Sequence, residues 1–185
     1  MSALDIVIAP NPIFKKTSDP VERVDDDVRQ LVSDMFDTLD ATGGLGIAAS
    51  MVGVAKRIIT VDLKENGSSN RLACINPEIV WASDETSEYE EASLSFPGIG
   101  ANITRPSKIR LRYLDETGTP QELDAEVPLS TVIQHEMDYL DGRTYLDHLS
   151  RMKRDRLLKK MQKLTRTHQL GHHHACEDPD CGHDH

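Results

Sequence analysis

The sequence predicts an α+β fold: mixed, mainly antiparallel sheets around a central helix, with a helix near each end. Three observations lead there. Val24, Val28, Leu31, Val32, Met35 and Leu39 recur at helical spacing on one face. From about residue 57 to 127 the chain reads mostly as strands, β-branched at 57–63 and alternating at 108–127. The stretch QHEMDYLDG (134–142) then returns to helical character, with Gly142 just past its end.

Each element has a local reason. Residues 5–9 (DIVIA) form a short apolar run ended by Pro10 and Pro12. A helix is expected over 20–41, with Asp19 as cap, Pro20 in the first turn and Gly43-Gly44 as the stop. NGSSN (66–70) reads as a turn, and strand material lies on both sides of Asn76-Pro77. Ile109, Leu111 and Tyr113 share one strand face, followed by a turn at Glu116–Gly118 and a returning strand. A helix spans about Ser130 to Asp141. The last helix begins near Ser150 and points Met152, Leu157, Leu158, Met161 and Leu164 inward.

With 185 residues, the chain suits one domain with a real core. That domain is expected over 1–170, and a His/Cys/Asp-rich tail over 171–185. The net charge of -10 argues against a nucleic-acid or membrane-surface partner, which requires clustered Lys and Arg. The basic run at 151–166 reads as the solvated face of a helix. There is no signal-like N-terminal stretch and no apolar run of membrane-span length. Three cysteines make no disulfide framework, so a cytoplasmic location is expected.

Several stretches carry chemistry. His135 and Glu136 open a helix that would hold a metal if a second histidine stood one turn later, but position 139 is Tyr139. Ahead of them stand GGLGIAASMVGVAKRIITVDL (43–63) and EYEEASLSFPGI (88–99). Together with INPEI, IRLRYLDETG and QHEMDYLDG, in that order, these stretches resemble the peptide deformylase family over about 160 residues. The resemblance implies the deformylase fold and the hydrolysis of formyl groups from N-formylmethionyl nascent peptides.

It also assigns roles by position. The family's Gly-x-Gly-x-Ala-Ala-x-Gln appears here as Gly44 to Ala49, then Ser50 and Met51 in the glutamine's place. Glu-Gly-Cys-Leu-Ser appears as Glu91, Ala92, Ser93, Leu94, Ser95. His-Glu-x-x-His ends on Tyr139. In intact relatives the cysteine and two histidines hold Fe²⁺ or Zn²⁺, the glutamate handles the water proton, and the glutamine and leucine N–H hold the formyl oxygen. Here the resemblance leaves His135 as a ligand, Glu136 in the acid–base position and Leu94 in the oxyanion position. Ser93 and Tyr139 stand in ligand positions. Gly46 and Met51 stand in substrate-binding positions. Leu94 and Ile133 are candidates for an apolar pocket or for plain core. A peptide would add as a strand beside 99–105 or 44–48.

Serine and tyrosine hydroxyls are neutral and weak ligands for a divalent ion, whereas a thiol is readily deprotonated by one. The expectation is therefore a deformylase-like protein with a decayed metal centre and little or no hydrolysis. The alternatives are a binding module for peptide N-termini, a metal-handling protein acting through its tail, and an active deformylase with rearranged ligands. The tail offers His172, His173, His174, Cys176, Cys181, His183 and His185, seven ligands in fourteen residues, a soft N/S set suited to Zn²⁺ or another transition metal.

Overall fold

The computed structural model describes residues 3–64 and 68–172, with side chains described through Arg166. The first long helix, α1 (Asp26–Thr42), starts six residues later than the sequence suggests. The backbone of Asp19 is already committed: its N–H donates to Ala55 O and its carbonyl accepts from Arg57. Asp25 caps instead, its carboxylate accepting from Val28 N at 3.0 Å. Gly43, at φ 68°, ends the helix in the left-handed conformation that only glycine adopts cheaply. Val32, Met35, Phe36 and Leu39 are the buried stripe.

Seven strands follow: β1 (Gly46–Ala48), β2 (Ile58–Asp62), β3 (Arg71–Ala82), β4 (Thr86–Ala92), β5 (Gly100–Pro106), β6 (Lys108–Leu114) and β7 (Pro120–Glu126). The first sheet has the order β1-β2-β3-β6-β7, and β4 pairs with β5 alone. Every pairing is antiparallel. β3 runs through Asn76-Pro77 with a register shift against β6. Pro77 has no N–H to give a neighbour, and Asn76 sits at φ 51°. The Asn76 amide meets both the N–H and the carbonyl of Val21 at 2.8 Å, tying the N-terminal segment to the sheet. Ile109 and Leu111 turn their shared face into the core. The expected turn at 66–70 falls partly outside the described residues.

The central helix is α2 (Leu129–Leu140), and ten of its twelve residues are buried. A helix buried nearly all round must satisfy its polar side chains inside the protein. That requirement shapes the site. The segment 5–9 forms no strand, but Val7 N–H donates to Met51 O and Ala9 N–H to Ser95 O, at 2.8 and 2.9 Å. It thereby pins two of the three motif stretches from outside.

The last helix, α3 (Arg151–His172), extends two residues past the domain limit expected at 170. Met161 is buried and Leu157 and Leu158 half-buried, but Met152 is 80% exposed and Leu164 is also exposed. The helix rests on the body along a narrow stripe, so only part of its apolar set turns inward. Leu164 lies over the loop at Gly98, where an added side-chain carbon would come within 2.7 Å of its Cδ1. Among the described residues no helix is long and apolar enough to cross a membrane.

Candidate functional site

The three motif stretches converge on one cavity of about 610 Å³. Gly44, Gly46, Met51, Leu94, His135 and Glu136 are in its wall, which is mostly apolar. Leu45 and Tyr89, both exposed, also line it. Ile133 is fully buried in the core and does not line the cavity. Of the two candidates for an apolar pocket, only Leu94 takes that place.

His135 is held by a buried carboxylate. Its Nδ1 lies 2.7 Å from Glu91 Oε2. Glu91 in turn accepts from Arg105 Nε at 2.6 Å and Nη2 at 2.9 Å. Burial alone would raise the Glu91 pKa, but the hydrogen bonds from Arg105 and His135 bring it down to about 2. Burial likewise opposes charge on His135; the bond to Glu91 and the charge of Glu136 outweigh it and raise the pKa. Arg105 Nη1 also reaches Asp138 Oδ2 at 2.9 Å, and the same oxygen meets His148 Nε2 at 2.7 Å. The His135 ring stacks on Tyr145 with centroids 5.5 Å apart. Its Nε2 takes part in no hydrogen bond among the described residues.

One turn further along α2 stands Tyr139, fully buried with its ring edge-on to Phe14 at 5.4 Å. Its hydroxyl lies 2.7 Å from Ser93 Oγ. Ser93 Oγ also accepts from Ser95 N at 3.2 Å. Burial pushes the phenol well above its ordinary pKa, so Tyr139 is neutral. Ser93 and Tyr139 thus offer two neutral hydroxyls that are bonded to each other.

Glu136 has a different environment. An added side-chain carbon at Gly46 would stand 2.8 Å from Glu136 Oε1, so the glycine makes room for this carboxylate. Burial pushes Glu136 up to about 7, against the pull of His135 and of the Ala48 backbone N–H. Its Oε2 is buried and has no hydrogen-bond partner among the described residues. The Leu94 N–H likewise has no partner among them. Met51, buried, brings a thioether without a donor to the wall.

Among the described residues, no three His, Cys, Asp or Glu side chains form a group able to hold a metal ion. Cys74 is a free thiol on β3, and its burial raises its pKa. The expected tail ligands His173, His174, Cys176, Cys181, His183 and His185 lie outside the described residues, and His172 closes α3.

Glu91 and Arg105 were not among the residues singled out as functional. Glu91 lies on β4 near its end, two residues before Ser93, which follows the strand. Arg105 shares its strand face with buried Ile103, so the period-two pattern carried a signal: a charge on an inward position. The Asp138–His148 contact joins α2 to a short 3-10 turn and had no sequence signal.

Residues 3–155 match the family model described as Polypeptide deformylase. A "Peptide deformylase-like" protein of Rickettsia conorii is 51% identical over 163 residues, 88% of this chain and 89% of the relative. A peptide deformylase of Phenylobacterium zucineum is 45% identical over 164 residues, 88% of this chain and 97% of the relative. The crystal structure of peptide deformylase from Ehrlichia chaffeensis in complex with actinonin is similar at a TM-score of 0.85 and 40% identity, covering 90% of this chain and 99% of that one.

Proposed function

The chain belongs to the polypeptide deformylase family, and from that premise we propose a member that binds peptide N-termini in the family cavity with little or no hydrolysis. The observation that carries the reading is the 2.7 Å bond between Ser93 and Tyr139. At two of the three positions that the resemblance makes ligands, one neutral hydroxyl donates to the other. The donor set does not fit a divalent ion. His135 contributes one imidazole nitrogen, and neutral hydroxyls add little to it. A full set in structural zinc sites supplies about 10–16 kcal/mol, which this set cannot approach. Glu136 by itself is a poor route to amide hydrolysis. With Met51 in the glutamine's place, an oxyanion donor is also lost, typically about 10²–10³ in rate.

By family likeness the peptides are N-terminal segments of nascent chains, met in the cytoplasm. Residues 171–185 are a candidate Zn²⁺-binding tail on composition alone. The relatives named as ordinary deformylases favour the competing reading of an active hydrolase. Formate release from a formylmethionyl peptide, with Fe²⁺ or Zn²⁺ supplied, separates the two. The proposal expects rates near background. Turnover at ordinary enzyme rates that is abolished by Glu136→Gln overturns it.

A further inference from the structure

Resting on that reading, we propose that the cavity selects peptides with a free α-amino group and an apolar first side chain over formylated ones. The argument starts from Glu136. It is 4% exposed, it forms part of the cavity wall, and its Oε2 has no hydrogen-bond partner among the described residues. An unmet buried acceptor is costly, and a carboxylate has about four acceptor sites to fill. A ligand that completes the set must bring donors, and an α-ammonium brings three.

The rest of the wall points the same way. A formyl group presents an oxygen that needs donors. Leu94 N–H is free to give one. Met51 has none to give, and of the Ser93 and Tyr139 hydroxyls one donates to the other, so the pair keeps a single O–H to offer. A dication beside Glu136 would repel an ammonium, but the donors at Ser93, His135 and Tyr139 do not fit one. His135, the preceding residue, is itself bound to the Glu91 carboxylate. Leu94, Phe96 and Val132 supply the apolar contact for the first side chain.

Calorimetric titration of the full-length protein with three versions of one methionyl tripeptide tests this. The amino group is left free, formylated or acetylated. The free amine is expected to bind tighter than either capped form by roughly ten- to a hundredfold, the range of a hydrogen bond to a charged group. Glu136→Gln should shrink that ratio to within about threefold. The ranking on the unmodified protein stands even if the variant folds poorly. Equal or tighter binding of the formylated peptide without formate release overturns the inference alone, whereas no binding by any of the three overturns the proposed function with it. Formate release at enzyme rates during the titration strikes the proposed function as well.

Discussion

Two walls of the same site differ in how their polar groups are met. Around His135 every charge is paired: Glu91 with Arg105, Arg105 with Asp138, Asp138 with His148. Around Glu136 the groups are neutral hydroxyls, a thioether and a carboxylate with one unmet oxygen. The first wall holds the fold together, because Glu91, Arg105 and Asp138 are buried charges that depend on one another. The second is exchangeable in its polar chemistry, because its hydroxyls are neutral and bonded to each other, although Tyr139 and Met51 are fully buried. The supporting network therefore persists whatever occupies the two positions of the hydroxyl pair.

Breaking the paired wall should have the largest effect. Arg105→Leu takes from Glu91 its arginine and leaves Asp138 with Arg143 at 3.3 Å, and removing one member of a buried pair typically costs about 3–5 kcal/mol. Urea unfolding measures it. A loss under about 1 kcal/mol would mean that the network carries little.

Acid probes the same wall more gently. The Glu91 pKa is lower folded than unfolded, so its contribution is present above the unfolded carboxylate value and is lost as pH falls through about 2. The His135 pKa is raised, so its contribution is present below the unfolded histidine value and is lost as pH rises through the folded one. Unfolding free energies should therefore decline from roughly pH 5 toward pH 2, and Glu91→Gln should flatten that decline.

The exchangeable wall should respond least. Tyr139→Phe removes one hydroxyl and leaves Ser93 the bond from Ser95 N, for a cost of about 1 kcal/mol. A cost above about 3 kcal/mol would mean that this pair, too, holds the fold together.

The sequence made the exchangeable wall easy to find and the paired wall hard. Ser93, Leu94, His135, Glu136 and Tyr139 come from short stretches with a strong family likeness, and helical spacing alone relates His135 to Tyr139. Arg105 lies fourteen residues from Glu91 and reaches it only because β4 and β5 pair. The start of α1 was misplaced for a similar reason. Asp19-Pro20 has good local capping chemistry, but Asp19 is held in a bridge to Lys56, a contact distant in sequence. Met152 and Leu164 fit the helical period, yet α3 touches the body on too narrow a strip to bury them: Met152 is open to solvent and Leu164 is covered only on the side of Gly98. The tail ligands can be read only as composition.

The most direct test counts metal. Protein lacking residues 171–185 is incubated with Zn²⁺ or Fe²⁺, dialysed and analysed for bound ion, beside a Ser93→Cys, Tyr139→His, Met51→Gln variant of the same length. Little ion is expected on the first, with about one per chain and measurable formate release on the second. One tightly held ion per chain on the unsubstituted protein would contradict the account.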